Sequence, residues 1–248
     1  MTKLRLGVIG AGSWAVAAHL PSLAGRAQDV EFVAVCRQGQ VPLARIKERF
    51  GFAIASEDYR DVLAAHPDIV VVASPPSLHH EHAMAALKAG AHVLCEKPFT
   101  LNSADAYQIV REAESQHRSL LLSFGWNYLP LVARARELLA GRGIGHLEHL
   151  SIVMSSQTRE LLTDTGAYPD ASPDTVPESD TWTQPSVSGG GYGQAQLSHA
   201  LALAFLLTGA RATGAFALVG RPSGARVELH DAIVLQLEGG AIASLSGG

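Results

Sequence analysis

The chain has 248 residues, of which 47% are hydrophobic, so it can bury the core of one large domain or of two smaller ones. Its formal net charge is −4, and nothing in this charge favours nucleic acid or an anionic membrane surface as a partner. The two cysteines, Cys36 and Cys95, each end an apolar run, which is typical of buried free thiols in a reducing compartment rather than of a disulfide framework. We therefore expect a cytoplasmic protein.

The N-terminal segment carries the most informative pattern. An apolar run at 4–9 is followed by Gly10, Gly12 and Ala15, which form a G-x-G-x-x-A pattern at the start of a helical repeat. In such a strand–turn–helix the first glycine permits the tight turn, the second lets a pyrophosphate approach the backbone, and the alanine allows close packing. The pattern predicts dinucleotide binding, against the alternative of an ordinary glycine-rich loop. The predicted cofactor contacts in this segment are Gly10, Gly12, Ser13, Trp14 and Ala15.

The first half of the chain alternates strands and helices. Apolar runs predict strands at 4–9, 30–35, 52–55, 68–73, 92–95 and 119–124. Helical spacing predicts helices at 42–50, 58–65 and 78–88, the last ending at Gly90, and a further helix capped by Asn102. Six strands joined by helices predict a doubly wound parallel sheet.

The pattern changes after about residue 128. A helix at 132–139 and a strand at 147–155 precede the segment 157–187, which is rich in Pro, Asp, Ser and Thr and has no periodicity. We interpret this segment as a lid or substrate-selecting loop, with a disordered excursion as the alternative. A helix is predicted at 196–207 and strands at 215–219, 227–237 and 241–245, with a turn at 238–240.

These patterns divide the chain into an α/β dinucleotide-binding domain at 1–126 and an α+β domain at 127–248. The most hydrophobic segment outside the N-terminal run, 200–207, is too short to span a bilayer, and the last apolar segments are typical of strands in an antiparallel sheet. Because the chain stops within this pattern, we expect its last strand to have an open edge and the second domain to be incomplete.

Arg37 lies at the end of the second predicted strand, where folds that prefer NAD usually place an acid for the ribose 2′-hydroxyl. An arginine can instead pair with the 2′-phosphate of NADP or lie against the adenine. We therefore expect NADP rather than NAD, with Arg37 and Gln38 as contacts. The alternative is a solvated arginine in a surface turn.

Glu96, Lys97 and Pro98 directly follow the strand at 92–95, at the sheet edge where ligands bind in open α/β folds. A lysine there can hold a substrate oxygen and exchange a proton with it, once its pKa is lowered by burial or a nearby positive charge. Taken alone, the triplet is more typical of a surface lysine before a turn proline.

The segment 74–98, S-P-P-S-L-H-H-E-H-A-M-A-A-L-K-A-G-A-H-V-L-C-E-K-P, and the opening G-V-I-G-A-G-S-W-A resemble the signature of the glucose–fructose oxidoreductase/inositol dehydrogenase family. The resemblance covers essentially the whole chain. It implies a nicotinamide-dependent oxidoreductase with an N-terminal Rossmann domain and a C-terminal α+β domain built on a large, mostly antiparallel sheet.

The resemblance also implies roles for individual residues. Lys97 would be the catalytic lysine, and the Lys97–Pro98 bond would be cis. Segment 125–128 would touch cofactor or substrate. Beyond the glycine-rich turn, Arg37 and Gln38, the expected cofactor contacts are Ser74, Pro75, His79, Glu96, Lys97 and Asn127.

The second half of the expected site departs from the family pattern. Members usually carry an Asp four residues before a His on the helix after a glycine run, but here Ala195 precedes His199. We still expect His199 to exchange a proton with a substrate hydroxyl, the alternative being a structural histidine under an apolar helix. The expected substrate contacts are Lys97, Tyr128, Trp182, Gln194, Gln196 and His199.

A cluster of three histidines, His79, His80 and His82, raises the question of a metal site. Because no further ligand has convincing spacing, we expect no metal.

The sequence thus predicts a hydride transfer between NADP, or less favourably NAD, and a secondary alcohol or carbonyl of a sugar or cyclitol-like substrate. We expect a homo-oligomer assembled through the C-terminal sheet. The alternatives are a non-catalytic NADP-binding sensor of the same fold, which the missing Asp favours, and a reductase of unsaturated or imine substrates.

Overall fold

The computed structural model describes residues 2–141, 143–165, 176 and 179–248. Within them, six parallel strands form one sheet in the order β3-β2-β1-β4-β5-β6. Its strands are β1 (Leu4–Ile9), β2 (Val30–Cys36), β3 (Ile54–Ser56), β4 (Ile69–Val72), β5 (His92–Cys95) and β6 (Leu120–Leu122). The predicted doubly wound sheet is confirmed, with strand ends displaced by up to two residues.

The helices of this first unit lie on both faces of the sheet. They are α1 (Leu20–Ala24), α2 (Gln40–Phe50), α3 (Tyr59–Ala64), α4 (His79–Lys88) and α5 (Ser103–Ser115). Val70 and Val72 of β4 pack in one buried cluster with residues of α3, α4 and α5, while Val71 packs in a second cluster with residues of α1 and α2. This alternation explains why the sequence of β4 is a continuous apolar run, since both of its faces are buried.

Local signals in the sequence account for several helix ends. The Asn102 side chain accepts a hydrogen bond from the Asp105 backbone at 2.9 Å, as the capping pattern predicts. Gly90 has a φ of +87° directly after α4, which favours glycine at that position. Cys36 and Cys95 are buried free thiols, as expected.

A second unit contains a four-stranded sheet in the order β7-β10-β9-β8 within the described residues. Its strands are β7 (His149–Met154), β8 (Ala212–Gly220), β9 (His230–Leu237) and β10 (Ile242–Gly247). β10 pairs antiparallel with β9 and parallel with β7, so the sheet is mostly antiparallel, as expected. The expectation that the last strand has an open edge is wrong, because β10 is hydrogen-bonded on both sides.

The helices of the second unit are α6 (Pro130–Gly141), α7 (Arg159–Thr163), α8 (Ser179–Thr183), α9 (Pro185–Ser188) and α10 (Ser198–Thr208). The segment 157–187, expected to lack regular structure, contains α7, α8 and part of α9. Pro185 begins α9, a position where its missing N–H costs no helical hydrogen bond. Residues 166–175 and 177–178 of that expected lid lie outside the described residues.

Contacts divide the chain so that the first unit ends at Ser123 and the second begins at Phe124. The functional assignment of domains 1–126 and 127–248 stays a prediction. Within the described residues, every helix is too short or too polar to cross a lipid bilayer.

Candidate functional site

The glycine-rich turn after β1 leaves room for a ligand. Gly10 has a φ of +85°, and a Cβ on it would overlap the Ser74 backbone, so only glycine fits. A Cβ on Gly12, in contrast, would meet nothing nearer than the Gly10 carbonyl oxygen at 3.9 Å. Ala15 is buried. The turn therefore fits a pyrophosphate approaching the Gly12 backbone.

The helix after this turn begins as a π-helix over Ala15–His19, where the sequence predicted ordinary helical spacing. π-Helices are rare in proteins, and those that occur are often found at functional sites. Trp14 is exposed and Ser13 half-buried, so both side chains remain available to a ligand. The π-helix ends at His19, whose side chain belongs to the site described below.

Arg37 follows β2 at the same edge of the sheet. Its Nε donates to the Gln38 carbonyl oxygen at 3.1 Å, and its buried Nη1 has no hydrogen-bond partner within the described residues. The Gln38 side chain donates to the Glu57 carbonyl oxygen at 2.9 Å. The guanidinium therefore retains unused donor capacity toward an anionic ligand.

His79 ties the loop after β4 to the loop after β5. Its Nε2 lies 2.7 Å from the Ser74 carbonyl oxygen, and its Nδ1 lies 2.9 Å from that of Pro98 and 3.1 Å from that of Phe99. Burial lowers the pKa of His79, while the three carbonyl oxygens oppose this shift. His82 contacts the Ser74 hydroxyl at 2.9 Å. Both imidazoles are thus used to hold the Ser74–Pro75 loop.

Glu96 and Lys97 emerge from the end of β5, and the Lys97–Pro98 bond is cis, as the resemblance implies. The Glu96 carboxylate is buried. Its Oε1 lies 2.6 Å from His19 Nε2, and its Oε2 accepts the Lys97 backbone N–H at 3.0 Å. The role of Glu96 as a cofactor contact stays a prediction, because the contacts shown are with protein groups.

Burial and neighbouring charges act in opposite directions on the pKa of Lys97 and on that of Glu96. Burial lowers the pKa of Lys97, and the Glu96 charge raises it. Burial raises the pKa of Glu96, but hydrogen bonds from His19 and Ser123, with the charges of His19 and Lys97, bring it below its ordinary value. The result is a carboxylate beside an amine that gives up its proton more readily than a free lysine.

In the second unit, a 3₁₀ turn over Gly125–Tyr128 lies against α10. Trp126 stacks on the His199 imidazole with ring centroids 5.0 Å apart, and Phe124 meets the same ring edge-on at 5.7 Å. The Asn127 Oδ1 atom is buried and has no hydrogen-bond partner among the described residues, while Tyr128 is exposed. His199 therefore sits in an aromatic frame that fixes its ring plane.

The glycine run before α10 is held by the segment that leads into β9. The Gly191 N–H donates to Glu228 Oε1 at 2.6 Å, and a Cβ on Gly191 would overlap the Glu228 backbone. A second π-helix, Gly193–Leu197, follows the run and continues into α10. Ala195 is buried in the hydrophobic cluster of this unit, whereas Gln194 and Gln196 are half-buried.

Two further side chains of this unit are withdrawn from solvent. Trp182 packs against the same hydrophobic cluster, which gives it a packing reason besides its predicted substrate contact. Asp231 is buried, and burial together with the charge of Glu228 raises its pKa to about 6.

Several of these partners were missed from the sequence. His19 carried a signal, being the one ionisable side chain between Gly12 and Leu23. Phe124 and Trp126 lay in or beside the segment 125–128, but no pattern indicated that they contact His199. The contact of Glu228 with the glycine run joins distant parts of the chain, and no local spacing predicts it.

The profile of a family described as "Oxidoreductase family, NAD-binding Rossmann fold" matches residues 4–124. D-glucoside 3-dehydrogenase of Escherichia coli K12 is 32% identical over 147 residues, covering 59% of this chain and 42% of that protein. The dTDP-3,4-didehydro-2,6-dideoxy-alpha-D-glucose 3-reductase of Saccharopolyspora spinosa is 30% identical over 250 residues, covering 99% of this chain and 68% of that protein.

Among solved structures, levoglucosan dehydrogenase in complex with NADH and levoglucosan matches with a TM-score of 0.82 at 20% identity, covering 99% of this chain and 67% of that one. This likeness shows the fold. The chain spans less than half of the length of the glucoside dehydrogenase and about two thirds of the length of the other two proteins. The chain belongs to the oxidoreductase family with the NAD-binding Rossmann fold, as the resemblance in its sequence implied.

Proposed function

We propose that this chain acts as a nicotinamide-dependent oxidoreductase that interconverts a secondary alcohol and a carbonyl group of a sugar or cyclitol-like substrate. The observation that carries this proposal is Lys97, whose pKa is lowered by burial at the sheet edge that also holds the open turn at Gly12. The names of the relatives add support, since a glucoside, levoglucosan and a deoxyhexose nucleotide are all sugars.

The cofactor is proposed to lie along the strand ends of the first unit. The Gly12 backbone and the start of the following helix hold the pyrophosphate, with Ser13 and Trp14 beside it. Ser74, Pro75, His79 and Asn127 are proposed to contact the nicotinamide half. When bound, the nicotinamide supplies the hydride acceptor or donor of the reaction.

NADP is proposed as the preferred cofactor, because Arg37 stands where an acid would favour NAD. The buried Nη1 of Arg37, which has no partner within the described residues, supports a charge-assisted contact with the 2′-phosphate.

Lys97 is proposed to accept or donate the proton that accompanies hydride transfer. An alcohol that loses a hydride also releases its hydroxyl proton, and the neutral Lys97 amine accepts that proton. In the reverse direction the ammonium form donates a proton to the carbonyl oxygen. An amine with a lowered pKa is neutral to a larger extent at a given pH than a free lysine, as the proton-accepting step requires.

His199 is proposed as a second proton-exchanging group, supported by the aromatic frame of Phe124 and Trp126 that fixes its ring. Tyr128, Trp182, Gln194 and Gln196 are proposed substrate contacts. Because Ala195 stands at the position of the usual Asp, we propose that the two flanking glutamines make the polar contacts that select the substrate.

We also propose a cytoplasmic homo-oligomer. Free buried thiols fit a reducing compartment. The outward face of the β7–β10 sheet exposes Val153, Phe216, Leu218 and Val234, an apolar surface typical of a protein interface.

The test is steady-state turnover of NADP and of NAD with a panel of aldoses, glycosides and cyclitols, in both reaction directions. We expect turnover with at least one sugar and higher kcat/KM with NADP. Tight cofactor binding by calorimetry without turnover on any member of the panel would instead support the non-catalytic sensor.

A further inference from the structure

A continuous chain of polar contacts connects the first helix to Lys97. His19 Nε2 lies 2.6 Å from Glu96 Oε1, and Glu96 Oε2 accepts the Lys97 backbone N–H at 3.0 Å. The His19 and Glu96 side chains are only 14% and 9% exposed. One carboxylate therefore spans a histidine on one side and the backbone of the proposed catalytic residue on the other.

We propose that His19 is a positioning residue, which acts through Glu96 to fix the Lys97 backbone and to set how readily the Lys97 amine gives up its proton. This inference rests on the proposed function of Lys97. His19 itself is placed by the π-helix Ala15–His19, directly after the glycine-rich turn. The same short segment thus shapes the proposed phosphate site and carries the partner of Glu96.

The physical argument concerns the charge of Glu96. An unpaired buried carboxylate stabilises a neighbouring ammonium strongly, because little solvent screens the pair. Pairing the carboxylate with His19 reduces the negative charge that Lys97 experiences. Among the described residues, the groups that bear on Glu96 are His19, Lys97 and the Ser123 hydroxyl, with His79 and Cys95 also within electrostatic reach.

Two substitutions are expected to act in opposite directions. His19→Gln leaves the carboxylate without its histidine partner, so Lys97 should hold its proton more tightly. Glu96→Gln removes the negative charge, so Lys97 should release its proton more readily. A purely structural role of His19 would leave the Lys97 titration midpoint unchanged in a folded His19→Gln protein.

The proton affinity of Lys97 can be measured in the absence of substrate. Lys3, Lys47, Lys88 and Lys97 are the four lysines of the sequence, so reductive methylation with ¹³C-formaldehyde gives few NMR signals. Lys97→Arg assigns its signal. A pH titration of that signal is then compared in wild type, His19→Gln and Glu96→Gln, with His80→Gln as the matched control.

We expect the Lys97 titration midpoint to rise in His19→Gln, to fall in Glu96→Gln and to stay in place in His80→Gln. The pH profile of kcat should move in the same directions, because moving the midpoint by one pH unit changes the neutral amine fraction at a given lower pH about tenfold. Circular dichroism identifies variants that fold, and His19→Asn, which also removes the imidazole, takes the place of His19→Gln if the latter does not fold.

An unmoved Lys97 midpoint in a folded His19→Gln or Glu96→Gln protein overturns the inference, whether or not the enzyme turns over. Opposite movements of the midpoint without turnover on any substrate would keep the inference about His19 and overturn the proposed function instead.

Discussion

At the scale of single residues, Lys97 is subject to two opposed influences, burial and the Glu96 charge, which lower and raise its pKa respectively. Arg37 has a buried Nη1 atom with no hydrogen-bond partner within the described residues, and Asp231 has a buried carboxyl group whose pKa is raised to about 6. Each of these three residues therefore permits a test in which a single substitution changes its charge.

Lys97→Met keeps an unbranched apolar side chain that reaches the Cε position and removes the ammonium group. We expect turnover to fall by about 10²–10⁴-fold, the range of a positioned acid–base group, with little change in the NADP dissociation constant. Both quantities are measured on one folded preparation. Equal losses in turnover and in cofactor affinity would make Lys97 a cofactor anchor instead.

Arg37→Asp replaces the proposed phosphate partner by an acid. Because a charge-assisted hydrogen bond contributes about 1.5–3 kcal/mol, the NADP dissociation constant should rise at least about tenfold, while NAD binding should improve. Calorimetry with both cofactors measures the change, and Arg37→Ala separates lost attraction from new repulsion. An unchanged NADP/NAD ratio would rule out this role.

Asp231→Asn tests the buried carboxyl group beside Glu228. Because the folded pKa of Asp231 is raised from 3.8 to about 6, folding favours its protonated form. Its contribution is therefore present below about pH 4 and is lost as pH rises through about 6, at most about 3 kcal/mol.

The Asn variant should accordingly gain stability relative to wild type at about pH 8 and lose this gain at about pH 4, as measured by urea unfolding midpoints. Glu148→Gln, on the exposed surface of the same unit, is the control. A gain that is equal at both pH values would show that Asp231 titrates normally.

At the scale of elements, strands and helices are best predicted from the sequence where a local pattern is compatible with only one kind of structure. Apolar runs such as the one around Val71 require a strand buried on both faces, and Asn102 followed by Asp105 predicts a helix start. Both were confirmed. The Ala15–His19 π-helix was not predictable, because π- and α-helices use the same residues and differ by a single inserted position.

The sequence also identified the elements that carry the candidate site better than the contacts between them. Lys97 was identified from its place after β5 together with the family resemblance, but the His19–Glu96 contact joins residues that are distant in sequence. The open edge expected for β10 was wrong for the same reason, since its pairing with β7 depends on a strand far upstream.

At the scale of the whole molecule, the exposed apolar face of the second sheet has no cover within the described residues. β8 presents Phe216 and Leu218, which are 65% and 67% exposed, and Phe216 is paired across the sheet with Val234. A surface of this kind is typical of an interface rather than of a solvated face.

Phe216→Ser combined with Leu218→Ser should therefore convert the proposed oligomer to a monomer, because the variant removes apolar area without touching the inward-facing core. Light scattering coupled to gel filtration measures the mass. Leu131→Ser, on exposed α6 of the same unit, is the control. A monomeric wild-type protein would contradict the proposed assembly.

The central place of β10 in its sheet has a consequence for the order of folding. β9 and β10 are joined by the short turn at 238–240 and can pair locally, whereas β7 joins only when His149 meets Ile242, which lies far downstream beyond helices α7 to α10 and strands β8 and β9. The backbone of β7 therefore stays unpaired until the β9–β10 hairpin has formed. The strands of the first unit are complete by Leu122, so ribosomal synthesis allows that unit to fold before β8, β9 and β10 have been made.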